Sequence, residues 1–460
     1  MDDRIYGKSL HQPLELFVLW IEGETVMQSI IYLKDLGPIK ETAITLNRCL
    51  VMTGAQASGK SSIAKAVYFF LSIKDDIVKT ILDSLKKQGI NSSVSESLVL
   101  RLREKFDGIF GDSYRMNLKM MIRCQYNDNT FVSLSLSQTN PIQNGYGDLE
   151  VEYSDNILDI LNGGKYVFST VNSTDTIDEA RLKNELQEEL TRITGIDYDV
   201  TYIPAGRGIV TTLGDQLSYL LVDSDLKPYS SVDFCTYNFF REILRVRSKF
   251  TSGLKGLMDD RKAYLFNADE RESLNKFSDK IAEILKGRYY YRPGNEILAL
   301  SDGSYVHMNY SSSGQQEIVW VLNLLFYYTI NKQKMLLILE EPETHLFPDS
   351  QKLMVELLAM FYNAGNKVIF TTHSPYVLGE TNNLIYAGKL YKNKKQSVQR
   401  IVDKDFAIDL VDLQALFVEE GVVSDCMDYE LGQIDNLRID GISKVINEEY
   451  DKLLVADSED

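Results

Sequence analysis

The chain has 460 residues, 44% hydrophobic and 25% charged, the balance of an ordinary soluble globular protein with length for two or three domains. With 49 Lys and Arg against 66 Asp and Glu the formal net charge is −17, which excludes a surface coated for nucleic acid but leaves a local basic groove open. Four scattered cysteines with no CxxC pair point to free thiols in a reducing cytoplasm rather than a zinc site, no apolar run approaches the roughly 18 residues needed to span a bilayer, and the acidic start Met1-Asp2-Asp3-Arg4 is no signal peptide.

Up to about residue 40, the apolar segments Leu16-Phe17-Val18-Leu19-Trp20 and Ser29-Ile30-Ile31-Tyr32-Leu33 predict strands. Asp35-Leu36-Gly37-Pro38-Ile39 reads as a turn, and residues 41–46 resume an extended pattern. An apolar strand, Cys49-Leu50-Val51-Met52, then runs into Gly54-Ala55-Gln56-Ala57-Ser58-Gly59-Lys60-Ser61, which fits the P-loop pattern G-x-x-x-x-G-K-[ST]. Residues 62–70 read as a helix. Strand, glycine loop and helix together set backbone N–H groups around a phosphate at a helix N-terminus. Gly54 and Gly59 let the backbone come close, and Ala57, Ser58 and Ser62 belong to the same cradle. Lys60 would reach the β- and γ-phosphates of ATP, and the Ser61 hydroxyl would ligate Mg²⁺.

From residue 75 to about 108 the periodicity is helical (Ile77, Ile81, Leu82, Leu85, then Leu98, Leu100, Leu102), with a break at Asn91-Ser92-Ser93. Residues 114–136 alternate and predict antiparallel strands; 138–147 form a polar loop; 175–194 form a charged helix. Thr201-Tyr202-Ile203-Pro204-Ala205-Gly206-Arg207-Gly208 reads as a buried strand entering a glycine turn. Residues 233–290 are helical and mixed in charge, and read as an arm or subdomain.

A compact run of motifs follows. Ser311-Ser312-Ser313-Gly314-Gln315-Gln316-Glu317 leads into an apolar helix over 318–330. Met335-Leu336-Leu337-Ile338-Leu339 is the kind of run a doubly covered parallel strand needs, and it ends in Glu340-Glu341-Pro342-Glu343. Successive strand residues point to opposite sides, so the first two acids have separate roles in a Walker B pattern. Glu340 would hold Mg²⁺, and Glu341 would orient or deprotonate the attacking water. A helix is expected over 349–363, then the strand Lys367-Val368-Ile369-Phe370 and Thr371-Thr372-His373-Ser374-Pro375. His373 is placed to contact the γ-phosphate and sense hydrolysis, with Glu341 and Lys60 as its catalytic companions. Ser312, Ser313, Gly314 and Gln315 stand at a helix start suited to phosphate, and with one nucleotide already assigned to the P-loop they make most sense acting on the nucleotide of a second subunit. The bland alternative is a serine N-cap boxed by Glu317. His345 is a candidate for a dimer interface, Arg207 for either the site or a structural ion pair, and Gln125 or Gln138 for a Q-loop. After Tyr391 a mixed tail of about 70 residues remains.

In this order, P-loop, serine-glycine-glutamine signature, Walker B and histidine, the chain resembles the ABC-class ATPases of the SMC, RecF and OLD group. Leu36-Gly37-Pro38-Ile39, the P-loop itself, Glu-Glu-Pro-Glu-Thr-His-Leu-Phe-Pro and Thr-His-Ser-Pro look like the OLD branch. The resemblance covers about residues 25–70 and 300–390. It implies an α/β P-loop ABC-type ATPase head with a mixed sheet, a β-rich N-terminal lobe and a helical insertion. It divides the chain into halves of the head at 1–74 and 296–392, a lobe and insertion at 75–295, and a tail or interaction segment at 393–460. It further implies head-to-head assembly around two ATP and Mg²⁺. OLD nucleases carry a C-terminal Toprim domain; Leu416-Phe417-Val418-Glu419-Glu420-Gly421 is faintly similar to its start, but no Asp-x-Asp follows a strand, so the sequence reads as lacking the nuclease. A free-standing ATPase of this kind is similar to the ATPase subunits of bacterial anti-phage systems of the Septu or PARIS type, whose nuclease (HNH or Toprim) is a separate protein. The alternatives are a RecF-like DNA repair ATPase that binds DNA, and a nucleotide-locked scaffold with little turnover.

Overall fold

The structure is a computed structural model, and it describes residues 20–21, 24–25, 29–86, 93–136, 149–163, 179–212, 232–435 and 437–458. Its centre is a six-stranded sheet in the order Val422–Asp425, Leu413–Glu419, Cys49–Gly54, Lys367–Thr372, Met335–Glu340, Asp199–Ile203. All neighbours run parallel except the antiparallel edge strand Val422–Asp425. Every residue of Cys49–Gly54 and of Met335–Glu340 is buried, as a strand covered on both faces requires. The faces can be told apart along each strand. Cys49, Val51, Leu337 and Leu339 enter one core, while Leu50, Met52, Leu336 and Ile338 enter the other.

The second core joins the P-loop helix Lys60–Leu71 to a five-stranded antiparallel lobe in the order Ile39–Thr45, Ile30–Leu36, Met121–Asn127, Thr130–Leu136, Leu149–Tyr153. The α/β architecture, the mixed sheet and the β-rich lobe are those expected from the sequence. The lobe takes two strands from before the P-loop and three from after it, so a division at residue 74 cuts through it. The alternation from residue 114 begins as a 3-10 turn, Ser113–Arg115, and turns into paired strands at Met121. The expected strand around Leu16 and the loop over 138–147 lie outside the described residues.

Two further expectations change. The helices Phe234–Val246, Gly253–Leu265 and Ala268–Leu285 do not form a free arm. Phe239, Ile243, Phe277 and Ile281 are buried in the first core together with Trp320 and Phe326 of the helix Ser313–Ile330. The amphipathic period that made them look like an arm is the period of a helix laid on a core. Nor is the segment after Tyr391 only a tail. Leu413–Glu419 pairs along the whole P-loop strand, from Leu413 opposite Cys49 to Val418 opposite Gly54. The stretch 416–421, faintly similar to the start of a Toprim domain, thus begins within the central sheet. Beyond it, the helix Leu437–Ser458 exposes Val445, Ile446, Tyr450, Leu453 and Leu454. Among the described residues no helix is long and apolar enough to cross a membrane, and all four cysteines are buried free thiols.

Candidate nucleotide site

The P-loop leaves the central strand at Gly54 (φ 138°) and enters its helix at Gly59 (φ 116°). Both angles favour glycine, and both positions also lack room. A Cβ on Gly54 would lie 2.0 Å from Val418 O, and one on Gly59 would lie 2.4 Å from Ile39 Cδ1. Ala57 is left-handed as well (φ 57°). The helix Lys60–Leu71 has no side-chain cap and no acid in its first turn, so its leading N–H groups remain for an anion. Ser58 is buried and Ser61 exposed. Lys60 is buried and folded onto its own loop: Nζ donates to Gly54 O (3.0 Å) and Ala55 O (2.7 Å). Burial pushes its pKa down, against the pull of Glu341, Glu343 and Glu340. A cleft of about 690 Å³ opens beside Ser61 and Ser62, lined also by Gly37, Lys65, Phe110 and Arg115.

The two Walker B acids separate as expected. Glu340 is buried at the strand end; its Oε2 accepts from Ala205 N (3.1 Å), while its Oε1 is buried without a hydrogen-bond partner. An orphaned carboxylate oxygen on the P-loop side of such a strand suits a cation ligand. Glu341 leaves the strand in a left-handed conformation (φ 44°), held by Glu341 N donating to Thr371 O (3.0 Å). Its Oε1 lies 3.8 Å from His373 Nε2. His373 stands at the end of the neighbouring strand. Its pKa is lowered by burial and by Lys60; Glu341 and a hydrogen bond with the Gly54 backbone oppose that. The net effect favours the neutral imidazole. Lys60, Glu340, Glu341 and His373 are thus brought together around the P-loop.

The signature is tied to other parts of its own chain. Ser312 caps the helix Ser313–Ile330, and the reciprocal partner in its capping box is Gln315, not Glu317. Gln315 Nε2 donates to Leu285 O (2.7 Å). Ser312 and Ser313 face solvent, and Gly314 packs on the next loop, where a Cβ would lie 2.6 Å from His345 O. His345 is exposed and left-handed (φ 58°). Gln125 is in the antiparallel lobe with its amide engaged by Arg123 and Asn127 O, and Gln138 lies outside the described residues.

Glu343 and Gly421 escaped the sequence reading, and Arg207, a candidate there, finds its partners here. Glu343 is mostly buried; its Oε1 accepts from His373 N (2.7 Å) and Thr372 Oγ1 (2.9 Å), and burial raises its pKa. Its position in Glu-Glu-Pro-Glu was the available signal. Arg207 is wholly buried; its hydrogen bonds go to backbone carbonyls, and Glu317 Oε2 lies 3.8 Å from its Nε as an ion partner. Gly421 (φ 78°) sits against the turn before the P-loop, and Lys40 N donates to Gly421 O (3.0 Å).

Residues 216–378 match the AAA ATPase domain family, a stretch holding the signature, the Walker B acids and His373 but not the P-loop. Over 98 residues the chain is 33% identical to the cytochrome c biogenesis ATP-binding export protein CcmA of Bartonella quintana, covering 21% of this chain and 45% of that protein. Among solved structures it is similar to the SMC head domain from Thermotoga maritima (13% identity, 87% of this chain, 98% of the other, TM-score 0.37). It is also similar to an Smc head with an extended coiled coil bound to the C-terminal domain of ScpA, derived from Pyrococcus furiosus (12%, 92% and 98%, TM-score 0.37). The chain is thus built as an α/β head with a P-loop, a mixed sheet, a β-rich lobe and a helical insertion, and over part of its length it is similar to an AAA ATPase domain and to an ATP-binding export protein.

Proposed function

We propose that this chain binds and hydrolyses ATP, assembles with itself in the cytoplasm, and controls a separately encoded nuclease in a bacterial anti-phage complex. The observation that carries the ATPase part is the meeting of Lys60, Glu340, Glu341 and His373 at one uncapped helix start. Lys60 would exchange the Gly54 and Ala55 carbonyls for the β- and γ-phosphates, with the nucleoside in the cleft beside Ser62. Ser61 and Glu340 would hold Mg²⁺, which neutralises phosphate charge when bound. Glu341 would accept a proton from the attacking water, and neutral His373 would donate to the γ-phosphate. Ser312, Ser313, Gly314 and Gln315, at a helix start whose two serines are exposed, would complete the site of a second copy. The nuclease partner, of the HNH or Toprim type, rests on the OLD-like motifs. The helix Leu437–Ser458, with Ile446, Tyr450 and Leu453 exposed, offers a surface for it.

The test is the native mass of the purified chain with and without ATP and Mg²⁺, alone and co-expressed with the neighbouring gene. A multimer that retains a nuclease supports the reading. A monomer that dimerises only with ATP and binds DNA instead replaces it with the RecF-like repair reading.

A further inference from the structure

Arg207 is the largest fully buried side chain among the described residues. A buried guanidinium is expected to pair directly with a carboxylate. This one pairs only at long range, its Nε lying 3.8 Å from Glu317 Oε2. Its hydrogen bonds all go to main-chain carbonyls: Nε to Glu317 O (3.0 Å), one terminal nitrogen to Pro204 O (3.1 Å) and Glu340 O (2.8 Å), the other to Glu341 O (3.0 Å). Glu317, Glu343, Glu341 and Glu340 surround it and compensate its charge.

Those carbonyls belong to the two parts of the site that are far apart in sequence. Glu340 and Glu341 end the Walker B strand, and Glu317 lies in the second turn of the signature helix. The fork geometry of Arg fixes their relative positions in a way a single ammonium could not. Glu341 is the residue most affected. Its backbone is left-handed (φ 44°), a conformation a non-glycine residue holds only when its surroundings impose it. Arg207 and Thr344 Oγ1 (3.0 Å) both hold its carbonyl. The same short segment makes a second tie to the helix, as Thr211 Oγ1 donates to Gln316 O (2.8 Å). The Glu317 side chain also lies against this segment: a Cβ on Gly208 would meet its Oε1 at 2.5 Å.

We propose that Arg207 is a positioning residue that couples the signature helix to Glu341, so that engagement of Ser312–Gln315 by a second subunit's nucleotide sets the aim of the hydrolytic carboxylate in this one. This rests on the ATPase reading above. A shift of the signature helix moves Glu317 O, and the guanidinium passes the shift to the Glu340 and Glu341 carbonyls. Arg207 touches no nucleotide in this scheme, so nucleotide affinity is independent of it.

The test compares wild type, Arg207→Met, Arg207→Lys and Glu317→Gln by thermal unfolding, binding of a fluorescent ATP analogue, steady-state ATPase, and backbone hydrogen exchange with and without ATP and Mg²⁺. In Arg207→Met, kcat is expected to fall on the order of 100-fold, the loss that follows small misplacement of a reacting group, with KM unchanged. ATP-induced protection is expected to persist at residues 54–62 and 312–320 and to disappear at 340–344. Arg207→Lys, able to reach fewer carbonyls, gives a smaller kcat loss. Should Arg207→Met not fold, Arg207→Lys decides, since it keeps the charge and part of the carbonyl bonding, while Glu317→Gln, which keeps the Glu317 main-chain carbonyl, serves as the control with kcat near wild type. Wild-type kcat together with wild-type protection at 340–344 in Arg207→Lys overturns the coupling. If the wild-type chain shows no ATP-induced protection at 54–62, the nucleotide reading itself falls and the coupling with it.

Discussion

Gly421→Ala tests whether the C-terminal strand helps to build the nucleotide loop. Glu420 (φ 48°) and Gly421 (φ 78°) form the two-residue turn between Leu413–Glu419 and Val422–Asp425, with both angles positive as a type I′ hairpin requires. A Cβ on Gly421 would lie 1.9 Å from Pro38 O, 3.0 Å from Pro38 C and 3.3 Å from Lys40 N. All three are backbone atoms, so no side chain can swing aside. The two turns must part, and the hydrogen bond from Lys40 N to Gly421 O goes with them. A left-handed alanine and a lost hydrogen bond together cost about 2–3 kcal/mol. Gly303→Ala is the control: φ is also positive (84°), but nothing lies within 4 Å of the added Cβ, so only strain of about 1 kcal/mol is expected. Thermal unfolding should rank Gly421→Ala clearly below Gly303→Ala. Only Gly421→Ala should also weaken nucleotide binding, because the displaced turn carries Ile39, which packs on Gly59. Equal unfolding midpoints for the two variants would refute the argument.

Lys60→Ala removes charged hydrogen bonds to phosphate of about 1.5–3 kcal/mol, so nucleotide affinity should drop at least tenfold. The unliganded fold should be no less stable, because a buried ammonium with a depressed pKa is removed; calorimetric titration and thermal unfolding check both parts. Glu341→Gln keeps the backbone bonds to Thr371 and Arg207 and loses only the base, so kcat should fall about 100-fold or more with binding intact. A phosphate-release rate near wild type would remove Glu341 from the mechanism. His373 has a folded pKa below the roughly 6.5 of an unfolded chain. Above that value both states are neutral and His373 adds no pH dependence. As the pH falls from there towards the lowered value, the unfolded chain takes up a proton that the folded one does not, and stability falls. His373→Gln should flatten this part of the acid-side slope in unfolding midpoints; an unchanged slope would rule the histidine out as its source.

The sequence by itself determined the chemistry-bearing motifs and their local frames. The P-loop, the acids after Met335–Leu339, and the strand ending in His373 were legible because each lies on one apolar run or one turn whose residues are adjacent in the chain. It also separated Glu340 from Glu341, since neighbouring strand residues face opposite ways. Only the tertiary structure decided which distant segments complete them. Leu413–Glu419 looks like any short apolar run until it pairs with Cys49–Gly54, and Gly421 looks like any turn glycine until Pro38 lies against it. Glu343 and Arg207 took their roles from partners 30 and 110 residues away, His373 N and Glu317 O. The physical reason is the range of the interactions. Strand and helix patterns come from local periodicity, whereas parallel pairing and buried polar bonding depend on chain segments brought together only when the sheet closes.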